Sequence, residues 1–247
     1  MTGHLILLRH GQSTANAAGI FTGLLDVPLT AVGEAQATQA GIALRDAGVR
    51  PDLVLTSTLG RAVHTVDLVT DALGLDVLVE QLWQLGERNY GALTGMTKTR
   101  ARTELGDARF QSLRRSLHGR PPAMPLSLWF SLRMSPALRR ASLKAVGRTE
   151  SLSDVVTRIR PVLYARIMPT VLEGRTVLVV AHGNSLRALC LLLDALTEAE
   201  VEALNLPTGQ PLLYRLEAGR GFVPRGGDYL DPSARAAAAR VAAEGGT

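Results

Sequence analysis

Two short segments of the chain share one pattern, an apolar run that ends in histidine and glycine: Leu7-Leu8-Arg9-His10-Gly11 and Val179-Val180-Ala181-His182-Gly183. In an open α/β sheet, ligands bind at the carboxyl ends of parallel strands. Two histidines delivered there from different strands can face one another, and the following glycines let the backbone approach a ligand closely. Arg9 adjoins the first histidine, and Asn184-Ser185 follows the second at an expected helix N-terminus, a place that favours anions. Arg61, downstream of Thr56-Ser57, supplies another positive group. Two histidines, two arginines and backbone N–H groups together make a phosphate site. One neutral imidazole can act as nucleophile while its neighbours neutralise the charge spread over the transferring oxygens. A proton must then reach the leaving oxygen, which calls for a carboxylic acid, and Glu87 in Gly86-Glu87-Arg88-Asn89-Tyr90-Gly91 is the candidate. Either histidine alone would also suit a hydrogen-bonded core position; the combination is what points to phosphoryl chemistry.

These residues need a scaffold of strands emptying into loops. Leu5–Leu8 reads as a strand buried on both faces. Residues 34–47 have helical spacing and end at Gly48, Leu53–Leu55 is a second strand, and 60–73 is a helix stopped by Gly74. Val77–Val79 reads as a third strand and Val177–Ala181 as the clearest buried one, followed by a helix over Leu186–Leu196. Leu212–Leu216 is expected as a late strand at an edge. Alternating strands and helices predict an α/β fold, a three-layer sandwich around a mostly parallel central sheet. Residues 100–150, with Pro121, Pro122, Pro125 and Pro136, interrupt the pattern and read as an insertion of short helices within one domain spanning 1–247. The Ala- and Arg-rich tail after about 232 is a candidate for disorder.

Composition excludes several classes. Of the 247 residues 46% are hydrophobic and 20% charged, which argues against a disordered chain. The single cysteine, Cys190, rules out a disulfide framework and reads as a small packed hydrophobe. His4, His10, His64, His118 and His182 form no zinc-ligand spacing with one another or with Cys190, so no metal is expected. Phosphate-loop and dinucleotide-turn glycine patterns are absent. No signal peptide or spanning apolar run is apparent, so a cytoplasmic location is expected. Net charge is +5, from 27 Lys and Arg against 22 Asp and Glu. Residues 100–148 hold eleven basic and two acidic residues, a net of +9, so the remainder carries −4. That segment attracts anions.

The collinear motifs resemble those of the histidine phosphatase superfamily, and within it the cofactor-dependent phosphoglycerate mutases. The resemblance runs from Leu5 to Leu230 and is weakest between Pro125 and Arg148. It rests on Arg9-His10-Gly11-x-Ser13-x-x-Asn16, Phe21-Thr22-Gly23 with Asp26-Val27-Pro28-Leu29-Thr30, Ser57-x-x-x-Arg61-Ala62, Glu87-Arg88-x-Tyr90-Gly91, Lys98, Arg114-Arg115-Ser116, Glu150-Ser151-Leu152, Ala181 to Leu189, and Leu206-Pro207-Thr208-Gly209. The resemblance implies a phosphoglycerate mutase-like fold and interconversion of 3-phosphoglycerate and 2-phosphoglycerate through a phosphohistidine. It implies His10 as nucleophile, primed by 2,3-bisphosphoglycerate without a metal. Arg9, Arg61 and His182 would hold the transferring group, and Glu87 would donate and accept the proton. Ser13, Asn16, Thr22, Gly23, Gly183 and Asn184 would line the phosphate pocket. Tyr90, Lys98, Arg114 and Arg115 would hold the substrate's carboxylate and second phosphate. The implied partner is a small phosphorylated metabolite, not nucleic acid or membrane, and the implied assembly is a homodimer or homotetramer.

Several positions depart from the family's pattern. Gln12 stands where Glu is usual, Thr14 or Ala15 where Trp is, Asn89 where His is, and Leu113 where Trp is. The segment 121–148 is apolar and basic where the family's is usually acidic, and fits a lid, an interface or a partner contact. A looser cover lets water take the phosphoryl group, which makes a phosphatase of the same fold, acting on another small phosphorylated metabolite, the alternative reading. A third, non-catalytic reading takes residues 126–144, with Trp129-Phe130 beside Arg133, Arg139 and Arg140, as a contact for an acidic partner or membrane surface.

Overall fold

The computed structural model describes residues 3–139, 141 and 146–243. Arg140 and Lys144 of the basic segment, and the last four residues of the tail, lie outside the described residues. Strand β1 (His4–Arg9) leads through a short helix α1 (Thr14–Ala17) to α2 (Ala31–Asp46), β2 (Leu53–Thr56), α3 (Gly60–Leu73) and β3 (Val79–Gln81). The insertion contributes α4 (Lys98–Leu105), α5 (Asp107–Arg115) and α6 (Leu126–Arg133). The chain returns through α7 (Leu152–Val162), a wide helical turn over Leu163–Ile167, and α8 (Met168–Leu172) to β4 (Thr176–Ala181). It ends with α9 (Gly183–Asp194), α10 (Glu198–Ala203), β5 (Leu212–Glu217), β6 (Gly221–Tyr229) and α11 (Ala234–Ala243).

The six strands lie in the order β3-β2-β4-β1-β5-β6. The β2–β3, β2–β4 and β1–β4 pairs are parallel; β5 runs antiparallel to both its neighbours. Because successive strand residues point to opposite faces, the continuous apolar runs feed two cores. Leu5, Leu7, Leu53, Leu55, Val177 and Val179 pack with α7 and α9 through Val155, Ile159, Leu186 and Leu189. Ile6, Leu8, Val54, Leu178 and Val180 pack on the other face with Ala40 and Leu44 of α2 and Val66 and Val69 of α3. This is the expected three-layer arrangement.

Several local expectations need correction. β5 is not an edge strand: β6 covers it, a strand whose Pro224, Gly226 and Gly227 hide it from sequence reading. The third strand lies two residues later than expected. Part of the tail after 232 forms helix α11, and its end lies outside the described residues. The helix after β4 begins at Gly183, three residues earlier than the apolar pattern suggested, so its N-terminus opens directly from His182. Helix α2 likewise starts earlier, at Ala31, because the Thr30 side chain caps it by accepting the Gly33 N–H.

Candidate active site

Pairing in the sheet fixes the two histidine segments side by side. β1 and β4 are adjacent and parallel with Arg9 opposite Ala181, and the His10 N–H donates to the Ala181 carbonyl at 3.0 Å. The loop leaving β1 is pressed against α2: a Cβ on Gly11 would overlap the Gly33 carbonyl oxygen, and one on Gly33 would overlap that of Gln12. Only glycine allows both approaches, and they hold the turn carrying His10 against a helix end.

The two imidazoles meet edge to face, with ring centroids 4.9 Å apart. His10 Nδ1 lies 2.7 Å from the Gly11 carbonyl oxygen. That acceptor assigns the ring proton to Nδ1 and leaves Nε2 unprotonated, its lone pair accepting from Arg61 Nε at 3.3 Å. Burial, then Arg61 and Arg9, push the His10 pKa well below 6.5 and keep the ring neutral. His182 is lowered likewise by burial, Arg61 and His10. Its Nε2 lies 2.7 Å from Ser57 Oγ, and its Nδ1 is buried with no hydrogen-bond partner among the described residues. Arg9 donates through Nη1 to the Leu206 carbonyl at 2.9 Å, whereas its Nε has no partner among the described residues. Arg61 is aimed by the carbonyls of Leu25 and Gly23, and burial lowers its pKa to about 10. Buried N–H groups left without acceptors are costly, and an anion held between Arg9 and Arg61 would supply an acceptor for Arg9 Nε.

Glu87 enters the same cleft. Its Oε1 accepts from its neighbour's backbone, Arg88 N, at 2.7 Å and from Asn184 Nδ2 at 3.0 Å. Asn184 Nδ2 also donates to the Tyr90 hydroxyl at 2.9 Å. Arg187 Nη1 donates to Asn184 Oδ1, which fixes the amide so that its NH₂ faces Glu87 and Tyr90. Arg9, His10, Asn16, Thr22, Gly23, Arg61, Glu87, Tyr90 and Lys98 line one cleft. Burial, Arg114 and Arg9 lower the Lys98 pKa to about 8.

The remaining expected residues stand around this cleft with other tasks. Ser13 caps α1 in a reciprocal box with Asn16. Gly183 opens α9 beside His182. Arg114 is buried, with its guanidinium 5.7 Å above the Phe110 ring. Arg115 reaches across to the backbone: its donors meet the carbonyls of Glu202 and Leu204 and the Asn205 side-chain oxygen. Gln12, expected beside the nucleophile, turns its Oε1 to the Thr30 hydroxyl at 2.9 Å and so supports the α2 cap. Ala15 and Leu113 are buried. Asn89 bridges its own loop to the Gly147 carbonyl at 2.8 Å. The insertion packs Met124, Leu132 and Leu138 on Leu24 and Leu59, next to Gly23 and Arg61. The indole of the half-buried Trp129 donates to the Val146 carbonyl, and the buried Arg133 serves the carbonyls of Leu138 and Ala141, which takes Arg133 out of the surface that a partner contact would need. Sequence reasoning missed Ser57 as the partner of His182, Arg187 as the partner of Asn184, and the buried pair Arg158 with Glu150. The helix carrying Arg158 had a readable start, a capping box at Ser151 and Asp154.

Among the described residues no group of three His, Cys, Asp or Glu is placed to hold a metal ion, and no helix is long and apolar enough to cross a membrane. The chain belongs to the histidine phosphatase superfamily (branch 1), whose family model matches residues 5–148. Within that class it is 47% identical over 246 residues to the 2,3-bisphosphoglycerate-dependent phosphoglycerate mutase of Corynebacterium diphtheriae, covering 99% of this chain and 98% of that one. It is 46% identical to the protein of the same name from Thermobifida fusca, covering 93% and 94%. Among solved structures, a mycobacterial glucosyl-3-phosphoglycerate phosphatase is similar at 26% identity with a TM-score of 0.66, covering 86% of this chain and 92% of that one. Bacillus stearothermophilus YhfR shares the fold at 24% identity with a TM-score of 0.68, covering 89% and 94%.

Proposed function

We propose that the chain is a phosphoglycerate mutase, interconverting 3-phosphoglycerate and 2-phosphoglycerate through a phosphohistidine at His10. One observation carries this: the neutral His10 ring, with its proton on Nδ1, presents an unprotonated Nε2, met only by the Arg61 donor among the described residues, in a cleft lined by Arg9, Arg61 and Lys98. Nε2 attacks phosphorus in line, and the P–O bond to the substrate breaks as the N–P bond forms. Glu87 gives a proton to the departing alkoxide, then takes one from the hydroxyl that attacks phosphohistidine in the return step. The Leu59 N–H already donates to Ser57 Oγ, so the serine proton is available to His182 Nε2. That arrangement puts the His182 ring proton on Nδ1, an N–H donor for a phosphoryl oxygen beside Arg9 Nε and Arg61. Ser13, Asn16, Thr22, Gly23, Gly183 and Asn184 shape the phosphate pocket.

The unpartnered Arg9 Nε and His182 Nδ1 fit a polyanion, so 2,3-bisphosphoglycerate suits the cleft as the group that loads His10. Arg9 and Lys98 would hold it, with Arg114 and Tyr90 at the far end. Arg115 acts mainly by holding the 202–205 segment. The relatives' names support the same reading, since they specify both the mutase and its bisphosphoglycerate dependence. The whole chain serves as one such domain, in the cytoplasm, as a homodimer or homotetramer acting on a small metabolite rather than on nucleic acid or membrane. A coupled assay that consumes 2-phosphoglycerate tests the reading: activity from 3-phosphoglycerate is expected, and activity that survives His10→Ala overturns the mechanism. Hydrolysis is the second reading, favoured by the cover over Leu24 and Leu59 being made by an insertion unlike the family's. The ratio of isomerisation to inorganic phosphate release separates the two.

A further inference from the structure

Glu87 sits on a stretch with little structure of its own. A single helical turn over Trp83–Leu85 ends before it, and the next turn starts at Gly91. Three carbonyls of this stretch, those of Gln84, Gly86 and Glu87, accept from one guanidinium, that of Arg158. Arg158 Nη2 is 3.0 Å from the Gly86 oxygen and 3.1 Å from that of Glu87. Its Nε donates to Glu150 Oε1 at 2.8 Å, and Glu150 Oε2 accepts the Asn89 N–H at 2.8 Å. The Glu150 N–H in turn donates to the Asn89 carbonyl at 2.9 Å. The backbone is therefore tied on both sides of Glu87. The two side chains are only 9% and 11% exposed, and Arg158 does not line the cleft.

We propose that Arg158, paired with Glu150, is a positioning residue for Glu87: it fixes the loop so that the carboxylate faces the scissile oxygen. This rests on the reading of Glu87 as proton donor and acceptor. The choice of residue follows from donor count. Arginine offers five N–H groups in a rigid planar fork, enough for three carbonyls and a carboxylate at once; lysine offers three from a single point. Glu150 supplies the charge without which a buried guanidinium is unfavourable. Geometry is what the loop contributes to rate, because a misplacement of about 1 Å in a catalytic group costs about 10²-fold.

A double-mutant cycle between Arg158→Lys and Glu87→Gln tests this, with the thermal midpoint of each variant checked and kcat and KM for 3-phosphoglycerate measured. Arg158→Lys is expected to lower kcat about 10- to 100-fold with KM within about twofold of the parent, since the residue touches no substrate. In the Glu87→Gln background the same change is expected to cost less than about twofold, because nothing remains to be positioned. Glu150→Gln, which keeps an oxygen acceptor and loses the charge, gives the same pattern and serves if the lysine variant does not fold. Losses that multiply, or a raised KM at unchanged kcat, overturn the clamp. A Glu87→Gln enzyme with the parent kcat overturns the acid–base reading instead, so the two failures are told apart.

Discussion

The ends of β1 and β4 and the insertion that covers them are built on different principles. At the strand ends His10 and the two arginines are held by backbone carbonyls: His10 by that of Gly11, Arg61 by those of Gly23 and Leu25, Arg9 by that of Leu206. The groups left over, Arg9 Nε and His182 Nδ1, are those an anion would take. The cover is held by side-chain packing, with Leu132 and Leu138 on Leu24 and Leu59, while Leu126, Phe130 and Met134 of its outer side are exposed. On the proposed mechanism the difference separates two properties of one enzyme: the strand ends would set whether the phosphoryl group transfers to protein, and the cover whether water or substrate receives it next.

That division can be broken from either side. The largest effect belongs to the strand ends: His10→Ala is expected to abolish isomerisation and phosphate release together, by about 10⁴-fold or more, in a coupled assay and a phosphate assay run on the same sample. Loss of one activity with survival of the other would show that the two do not share a nucleophile. In the cover, Leu132→Ala removes a buried side chain at a cost of about 2–5 kcal/mol. It is expected to raise the ratio of phosphate release to isomerisation about tenfold while the rate of His10 phosphorylation changes little. A constant ratio would mean that the insertion does not control water.

Lys98, which lines the cleft, gives a pH-dependent effect. Burial and the neighbouring Arg114 and Arg9 lower its pKa to about 8, so its charge is present below that pH and lost above it. In the free enzyme kcat/KM is expected to fall several-fold as pH rises through 8, and Lys98→Arg, which stays charged, flattens that limb. The His10 pKa is depressed, so its neutral form persists below 6.5 and no acid limb is expected there. The smallest effect is expected at Gln12. Its side-chain oxygen serves Thr30, so Gln12→Glu keeps the acceptor and leaves kcat within about twofold of the parent. A larger change would return that position to the reacting centre.

Much of the strand-end region was legible in the sequence because its signals are local. A run such as Leu5–Leu8 can be buried on both faces only as a central strand, and parallel pairing then brings His10 beside His182 without further information. Of the other cleft residues, Asn16, Thr22, Gly23, Tyr90 and Lys98 come only from the family resemblance, since they stand on loops and short helices that no strand pattern places. Arrangements that depend on distant partners were not legible. Arg115 finds its carbonyl acceptors some 87 positions away, and Arg158 finds those of Gly86 and Glu87 more than 70 away. No spacing rule connects such pairs. β6 was hidden for another reason: its glycines and proline suit an edge strand but carry none of the apolar alternation that marks a strand in sequence.

The proposed mechanism requires His10 to accept a phosphoryl group and give it up again. The most direct test is to load the protein with bisphosphoglycerate carrying a labelled phosphate, locate the label by mass spectrometry, and chase with unlabelled 3-phosphoglycerate. An acid-labile label on His10 that moves into phosphoglycerate products during the chase is expected. A label on any other residue, or one on His10 that the chase does not discharge, would contradict it.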